Sequence, residues 1–340
     1  MATGIYGLAG SSIVIENLAK QLVKKGEDVT IGAVRFKRPP LPGAYQVSTI
    51  PIGDLPKLSS FIESFDIIHC HHPVLNYVDL ISHVPFIYHY HGVPMSGKAN
   101  LFRFSMISSV RLTNHRFAAA IAVSHSGYED LKQHMDAKKI RVIYNGVDTS
   151  LFRSECDAPY REGVPQFLFV GNLFEYKKVD ELIVALKKLI NKYPLAHLQI
   201  IGEGESMAKL KHLVYQLNIK NNVSFRGAVP NNDLAPYYAS CDVYVTASRC
   251  ESSPLPLFEA WACGKPVFAS SIPAHQELLS ASNAGMLYEV GDIDNLCENL
   301  SYAYENKDYF KNNALEFAKL YDWSLVADRI LAIYKNLTHD

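Results

Sequence analysis

The chain has 340 residues, of which 48% are hydrophobic and 20% are charged, and its net charge is −1. This balance is typical of a soluble globular protein with two domains of ordinary size, and it argues against bulk binding of nucleic acid. The six cysteines show no CxxC spacing, so neither a zinc site nor a disulfide framework is indicated. There is no signal-peptide pattern and no apolar run of ~18 residues, so we predict a cytoplasmic protein.

The N-terminal residues follow a strand–turn–helix pattern. Residues 3–6 are predicted to form a short strand, residues 7–12 a glycine-rich turn, and residues 13–26 an amphipathic helix. Such a turn places backbone N–H groups at the start of a helix, where they can bind phosphate. The glycines do not match GxGxxG, so a tight turn without a ligand is an equal alternative.

Two strands, predicted at 65–72 and 84–92, end in histidines. The run HCHH at 69–72 suggests a metal, but neighbouring residues on a strand point to opposite faces and cannot all converge on one ion. We therefore predict no metal site. Gly92 lets the chain turn and leaves His91 at the strand tip, facing a cleft. A core histidine and a functional histidine are equal alternatives there.

Charge is distributed unevenly along the chain. Residues 1–160 hold 16 Lys and Arg against 13 Asp and Glu, and the remainder holds 17 against 21. A predicted helix at 100–120 carries Arg103, Arg111 and Arg116. Ordinary variation with a solvated basic face is the simpler interpretation. The alternative is a first domain that contacts an anionic acceptor or membrane phosphates.

The second half of the chain alternates strands with helices. Residues 153–166 are polar, contain two prolines and lack periodicity, which is typical of a linker. The alternation after them predicts a parallel sheet covered by helices on both faces. We therefore predict an α/β protein with doubly wound domains at 1–155 and 165–322. A last helix, within 323–340, is predicted to pack back on the first domain.

The stretch from Cys241 to Gly264 is the most informative part of the second domain. An apolar strand is followed by a loop that holds Glu251, and a helix begins near Leu255 and contains Glu259. Ligands of open α/β sheets bind at the carboxyl ends of strands, and a helix N-terminus attracts phosphate. Two acids beside such a terminus favour a polyhydroxylated ligand. A sugar nucleotide offers hydroxyls for the acids and a diphosphate for the helix.

In these features the chain resembles the retaining glycosyltransferases of family 4, also called group 1. The most specific motif is the acid pair in ESSPLPLFEA, and the supporting motifs are IYNGVDTSLF, FVGNLFEYKKVDELI, IIGEGE, VSFRGAVP and IPAHQE. The resemblance runs from the first glycine turn to the last helix, which is essentially the whole chain. The resemblance implies the GT-B fold, in which two Rossmann-like domains face each other across a cleft. It also implies transfer of a hexose-type sugar from a nucleotide-diphosphate donor to a glycan, lipid-linked or small-molecule acceptor. No cofactor and no obligatory metal are implied.

The resemblance implies a role for each matching residue. Glu251 would hold hydroxyls of the donor sugar, and Glu259 would hold the ribose. Lys177 and the Leu255 N–H would meet the diphosphate. The remaining implied contacts are Gly10 and Ser11 at the diphosphate, Gly227 to Val229 at the base, and His91 at the donor sugar.

The chain also departs from the family pattern. Asn172 occupies a phosphate-side position where the family usually has arginine, so a bidentate charged partner is missing. Ser252, Ser253 and Pro254 replace a loop of glycines and an aromatic residue, and Pro254 offers no N–H. These changes keep open a weakly active sugar-nucleotide-binding subunit as an alternative. A second alternative is a nucleotide-sugar epimerase on the same scaffold. The first domain is mildly basic, which suggests the hypothesis that the protein contacts the inner face of a membrane peripherally.

Overall fold

A computed structural model describes residues 1–6, 10–36, 47–51, 60–73, 75, 76, 79, 82–92 and 99–338. Residues 7–9 of the predicted glycine turn lie outside this set. The chain divides into two compact units. Unit 1 comprises Met1–Gly146 and Trp323–Asp340, and unit 2 comprises Val147–Asp322.

In the described residues, unit 1 is built on a parallel sheet of seven strands. They are β1 (Ala2–Tyr6), β2 (Val29–Phe36), β3 (Val47–Pro51), β4 (Ile68–Cys70), β5 (Phe86–Tyr90), β6 (Ala119–Ala122) and β7 (Ile140–Val142). Their spatial order is β3-β2-β1-β4-β5-β6-β7. The described helices are α1 (Gly10–Lys24), α2 (Ala99–Thr113), α3 (His125–Leu131) and, from the C-terminal segment, α11 (Trp323–Thr338). The strand order reverses between β1 and β4, as in Rossmann-like domains.

The C-terminal helix α11 packs within unit 1. It lies against α1, and Lys25 and Asp328 form an ion pair of 2.8 Å between the two helices. The apolar stripe of α11, which includes Val326 and Ile330, is buried. An amphipathic helix buries such a stripe against a partner, which explains why these last residues belong to the first unit.

Unit 2 has the same architecture. Its strands are β8 (Gln166–Val170), β9 (His197–Ile201), β10 (Val223–Gly227), β11 (Val243–Thr246), β12 (Val267–Ser270) and β13 (Gly285–Tyr288), in the order β10-β9-β8-β11-β12-β13. Its α-helices are α4 (Val179–Leu189), α5 (Met207–Gln216), α6 (Ala235–Ser240), α7 (Leu255–Ala262), α8 (Pro273–Ser282), α9 (Ile293–Glu305) and α10 (Lys307–Lys319). All strand pairs are parallel, so the predicted doubly wound sheets are confirmed.

The core of unit 2 surrounds its central strands. Every residue of β11 is buried, as expected for a strand covered by helices on both faces. Helix α7 is apolar on nearly all sides and is buried almost throughout. Trp261 in α7 is fully buried, and its indole N–H donates to the Ala284 carbonyl at 3.0 Å. The strand and helix that carry the acid pair are therefore rigidly packed.

The predicted linker at 153–166 was wrong, because this segment lies within unit 2. Arg161 pairs with the buried Asp242 at 2.7 Å. The Tyr160 carbonyl accepts hydrogen bonds from the side chains of Gln166 and Gln199. The division of the chain falls instead at Gly146 and Val147. The segment is polar because its residues form hydrogen bonds and ion pairs within unit 2. A sequence pattern cannot distinguish such a segment from one whose polar groups face solvent.

Among the described residues, no helix combines the length and the apolar character needed to cross a membrane.

Candidate active site

The candidate site of unit 2 lies where the strand order reverses. Strand β8 continues into the turn that carries Lys177, and its neighbour β11 continues into the loop that carries Glu251. Parallel strands end at the same edge, so both loops emerge side by side at the topological switch point. The Arg249 N–H donates to the Tyr176 carbonyl at 2.8 Å and ties the two loops together.

Lys177 and Glu251 form an ion pair at this edge. The Lys177 ammonium donates to Glu251 Oε1, and the two side chains are 15% and 14% exposed. Burial alone would raise the pKa of Glu251, but the Lys177 charge and His275 outweigh it and leave the pKa below its ordinary value. The pKa of Lys177 is raised, because the Glu251 charge outweighs burial. Both groups are therefore charged at neutral pH, and each neutralises the other.

Two glycines allow the loop of Lys177 to lie close to the end of β9. A Cβ on Gly202 would stand 1.9 Å from the Gly171 carbonyl oxygen, and a Cβ on Gly204 would stand 2.4 Å from the Leu173 carbonyl oxygen. The Leu173 N–H donates to the Glu203 carbonyl at 2.9 Å. The motifs FVGN and IIGEGE thus form one packed backbone unit, which explains their glycines.

Glu259 lies in a separate polar pocket, on helix α7, which follows the loop of Glu251. The Tyr238 hydroxyl donates to Glu259 Oε2 at 2.7 Å, and the Asn231 amide donates to Oε1 at 3.0 Å. The residue is only 5% exposed. Burial raises the pKa of Glu259 to about 7, although both hydrogen bonds act in the opposite direction. Unlike Glu251, this carboxylate has no cation in contact with it among its hydrogen-bond partners.

We expect Glu259→Gln to flatten the pH dependence of stability. The folded-state pKa is about 7 and the ordinary value is 4.5, so the folded wild-type protein binds more protons between these values. Its stability is full below pH 4.5 and decreases as pH rises through 7. Glutamine cannot ionise, so the variant should gain about 1–3 kcal/mol relative to wild type between pH 5 and pH 8. Urea unfolding at both pH values measures this. The exposed Glu298→Gln is the control, and an unchanged slope in Glu259→Gln would contradict the assignment.

The other predicted contacts of unit 2 lie on the same sheet edge. Leu255 is the first residue of α7, so its N–H is one of the unpaired donors of a helix start. Gly227 ends β10 with φ of +69°, which favours glycine, and Val229 follows in the next loop. Asn172 is exposed, directly after β8.

The predicted contacts of unit 1 are only partly described. Gly10 and Ser11 begin α1, and a Cβ on Gly10 would meet no atom of the described residues within 4 Å. His91 follows β5 and is partly buried, and burial lowers its pKa to about 4. The histidine is therefore neutral at physiological pH.

His91 belongs to a column of four stacked imidazoles on β4 and β5, formed by His69, His71, His89 and His91. His71 Nδ1 lies 2.9 Å from His91 Nε2, and His69 Nε2 lies 2.9 Å from His89 Nδ1. The Tyr334 hydroxyl of α11 lies 2.6 Å from His69 Nδ1. His89 and His91 thus lie on one face, and His69 and His71 extend it.

The column also resembles a metal site in composition. Nitrogens of His69, His71 and His89 lie within 4.8 Å of one another. The rings are nearly parallel, with interplanar angles of 18° to 28°, so their in-plane lone pairs run side by side and do not converge. We assign no metal to this cluster.

We expect the column to make unit 1 sensitive to acid. Burial lowers the pKa of His69, His71 and His89 well below the ordinary value of 6.5. The unfolded chain therefore binds more protons below pH 6.5, and stability is lost as pH falls below that value, by up to ~1.4 kcal/mol per pH unit for each histidine. The variant His89→Phe keeps a stacked ring without a titrating group. Urea unfolding at pH 7 and pH 5 should show a smaller loss for it, and an equal loss would contradict this prediction.

Three residues of the site were not predicted from the sequence. Tyr238 and Asn231 hold the Glu259 carboxylate, but neither stands in a recognisable pattern with it. His275 lies inside the motif IPAHQE, yet no role was assigned to it. Its electrostatic coupling to Glu251 appears only once β12 and α8 are placed beside β11.

Two family models match this chain and together cover most of it. The model for Glycosyl transferases group 1 matches residues 157–318, and the model for Glycosyltransferase Family 4 matches residues 8–151. The chain belongs to glycosyltransferase family 4. The predicted family is thus confirmed, and this glycosyltransferase carries the group 1 domain on the unit that contains the acid pair.

Relatives of the glycosyltransferase align along nearly its whole length. An uncharacterised glycosyltransferase of Methanocaldococcus jannaschii is 25% identical over 96% of this chain and 94% of its own. The N-acetyl-alpha-D-glucosaminyl L-malate synthase of Bacillus anthracis is 23% identical over 98% of this chain and 94% of its own. The crystal structure of Anabaena HepE in complex with UDP and glucose has a TM-score of 0.81 at 19% identity, covering 98% of each chain. This likeness shows the fold, which is GT-B.

Proposed function

We propose that this glycosyltransferase transfers a hexose-type sugar from a nucleoside-diphosphate donor with retention of the anomeric configuration. The observation that carries the proposal is the Lys177–Glu251 pair beside the start of α7, with Glu259 in its own polar pocket. A cation and unpaired N–H groups suit a diphosphate, and two carboxylates suit two sets of hydroxyls.

On binding, the donor would replace partners that these side chains have in the free protein. Lys177 would leave Glu251 and turn to the diphosphate, and Glu251 would accept bonds from hydroxyls of the donor sugar. Glu259 would accept bonds from the ribose in place of those from Tyr238 or Asn231. Because the ion pair is only 14–15% exposed, the new contacts form where water is largely excluded and charge interactions are strong.

In the proposed reaction the bond between the anomeric carbon and a diphosphate oxygen breaks. The acceptor oxygen attacks on the same face of the sugar, and its proton passes to the departing diphosphate. Negative charge grows on the leaving group, where the Lys177 ammonium and the Leu255 N–H can stabilise it. These groups would supply the positive charge that a metal ion provides in other enzymes. We therefore expect a chelator to leave the transfer rate unchanged. The role of His91 at the donor sugar and those of Gly10 and Ser11 at the diphosphate remain predictions.

For the base of the donor, we propose uridine as the first candidate. HepE, which shares the fold, is crystallised with UDP and glucose. The acceptor is proposed to be a glycan, a lipid-linked sugar or a small molecule that bears a hydroxyl. Peripheral contact with an anionic membrane is part of this proposal and is tested by sedimentation with anionic liposomes at low salt.

A thermal-shift panel of UDP-, GDP- and ADP-sugars tests the donor. A ligand at about 100 times its Kd adds roughly 2.7 kcal/mol of stability. We expect a shift with one base, absent in Glu259→Ala and kept in the exposed-site control Glu298→Ala. No shift with any sugar nucleotide would contradict the proposal. Product release without an acceptor would favour an epimerase instead, and proton NMR of the first-formed anomer tests retention.

A further inference from the structure

Glu251 has a second support besides Lys177. The Ser248 hydroxyl is close enough to the Glu251 carboxylate to lower its pKa, and Thr246 Oγ1 lies 3.2 Å from Ser248 Oγ. Ser248 is fully buried and Thr246 is 2% exposed. The end of β11 therefore fixes one side of this carboxylate, and the loop after it does not move freely.

A hydrogen-bonded chain extends this support to the next strand. The Ser270 hydroxyl, at the end of β12, donates to the Ser248 carbonyl at 2.5 Å. The ring of His275, in the first turn of α8, lies 2.8 Å from the Ser270 carbonyl and 3.3 Å from its hydroxyl through Nδ1. His275 and Ser270 are both fully buried. These bonds thus connect His275 through Ser270 to the backbone of Ser248, whose hydroxyl acts on Glu251.

The partner of His275 fixes its tautomer. A carbonyl oxygen only accepts, so Nδ1 of the neutral ring carries the proton and donates to Ser270. Nε2 is then an acceptor, and it is buried without a partner among the residues that the structure describes. Burial lowers the pKa of His275, although the nearby Glu251 charge acts in the opposite direction. Leaving a buried ring nitrogen unpaired is unfavourable, so a purely structural role would be served better by an apolar side chain.

We propose that His275 is a positioning residue that holds the Glu251 carboxylate, through Ser270 and Ser248, in the orientation that hydroxyls of the donor sugar require. This inference rests on the proposed function. His275 is fully buried, so it would act on the donor only through other residues. Its effect should therefore fall on the sugar and not on the nucleotide, because Glu259 and its partners lie outside the chain of hydrogen bonds.

The test compares the affinities of the full-length protein for UDP and for UDP-glucose by calorimetry. In His275→Leu we expect UDP affinity within two-fold of wild type and UDP-glucose affinity lower by about ten-fold or more, the scale of a bond to a charged group. His275→Asn keeps an N–H donor at the position of Nδ1 and should restore most of the loss. The same change at an exposed histidine of the same unit, His212→Leu, is the control.

The outcomes separate the inference from the function on which it rests. If wild type binds UDP-glucose and His275→Leu binds it equally well, the inference is overturned and the proposed function stands. If wild type binds neither ligand, both are overturned. Should His275→Leu fail to fold, Ser270→Ala decides, because it removes one hydroxyl from the same chain. An equal loss of UDP and UDP-glucose affinity would also overturn the inference.

Discussion

Lys177→Met should lower the transfer rate by roughly 10²–10³-fold and destabilise the free protein by about 3 kcal/mol. The rate falls because the leaving diphosphate loses its ammonium partner. The stability falls because Glu251 keeps its charge in a site where it is only 14% exposed. The double variant Lys177→Met with Glu251→Gln removes both charges and should recover part of the stability without recovering the rate. Urea unfolding and a donor-consumption assay measure the two effects.

A second lysine pair of unit 2 provides the matched control. Lys188 donates to Asp294, but the side chains are 45% and 79% exposed. Surface pairs of this kind contribute about 0–1 kcal/mol, so Lys188→Met should change stability little and leave the rate unchanged. If Lys177→Met behaves like Lys188→Met, the buried pair is not the centre of the site.

Gly202→Ala is expected to destabilise unit 2 by roughly 2–5 kcal/mol. The new Cβ would stand 1.9 Å from the Gly171 carbonyl oxygen, and the backbone there has φ of +130°. The backbone strain and the overpacking each cost about 1–3 kcal/mol. Relief requires the backbone of 171–173 to move, which also displaces the turn of Lys177. We therefore expect weaker donor binding at temperatures where the variant is still folded.

Gly264→Ala separates the two causes. Gly264 also has positive φ, +68°, but its nearest neighbour would be the flexible Lys311 side chain at 3.3 Å. This variant should lose only about 1 kcal/mol from the backbone. Thermal unfolding with and without donor compares the two variants. Equal losses would mean that the close approach of the two loops is not what Gly202 provides.

The architecture could be predicted because it depends on local patterns. Alternation of apolar strands with amphipathic helices predicted both parallel sheets, and the helix that contains Glu259 begins at Leu255 as predicted. The acid pair was placed correctly on a loop and a following helix, because strand, loop and helix are contiguous in the chain. The prediction of a linker was wrong because residues such as Arg161 form hydrogen bonds with residues that are distant in sequence, such as Asp242.

The electrostatics of the site could not be predicted in the same way. Lys177 and Glu251 are 74 positions apart, and only the strand order β8-β11 brings them together. The contrast between the two acids depends on their neighbours. Glu251 has a lysine beside it and a lowered pKa, whereas the described partners of Glu259 are the neutral donors Tyr238 and Asn231 and its pKa is about 7. Spacing in the sequence contains no information about such partners.

One calorimetric series tests the central claim most directly. UMP, UDP and UDP-glucose are titrated into wild type and into Glu259→Ala, Lys177→Met and Glu251→Gln. We predict that Glu259→Ala weakens the binding of all three ligands. Lys177→Met should remove the gain in affinity from UMP to UDP, and Glu251→Gln should remove only the gain in affinity from UDP to UDP-glucose. Equal losses for all ligands in every variant, or no loss in any of them, would contradict the assignment of these residues to ribose, diphosphate and sugar.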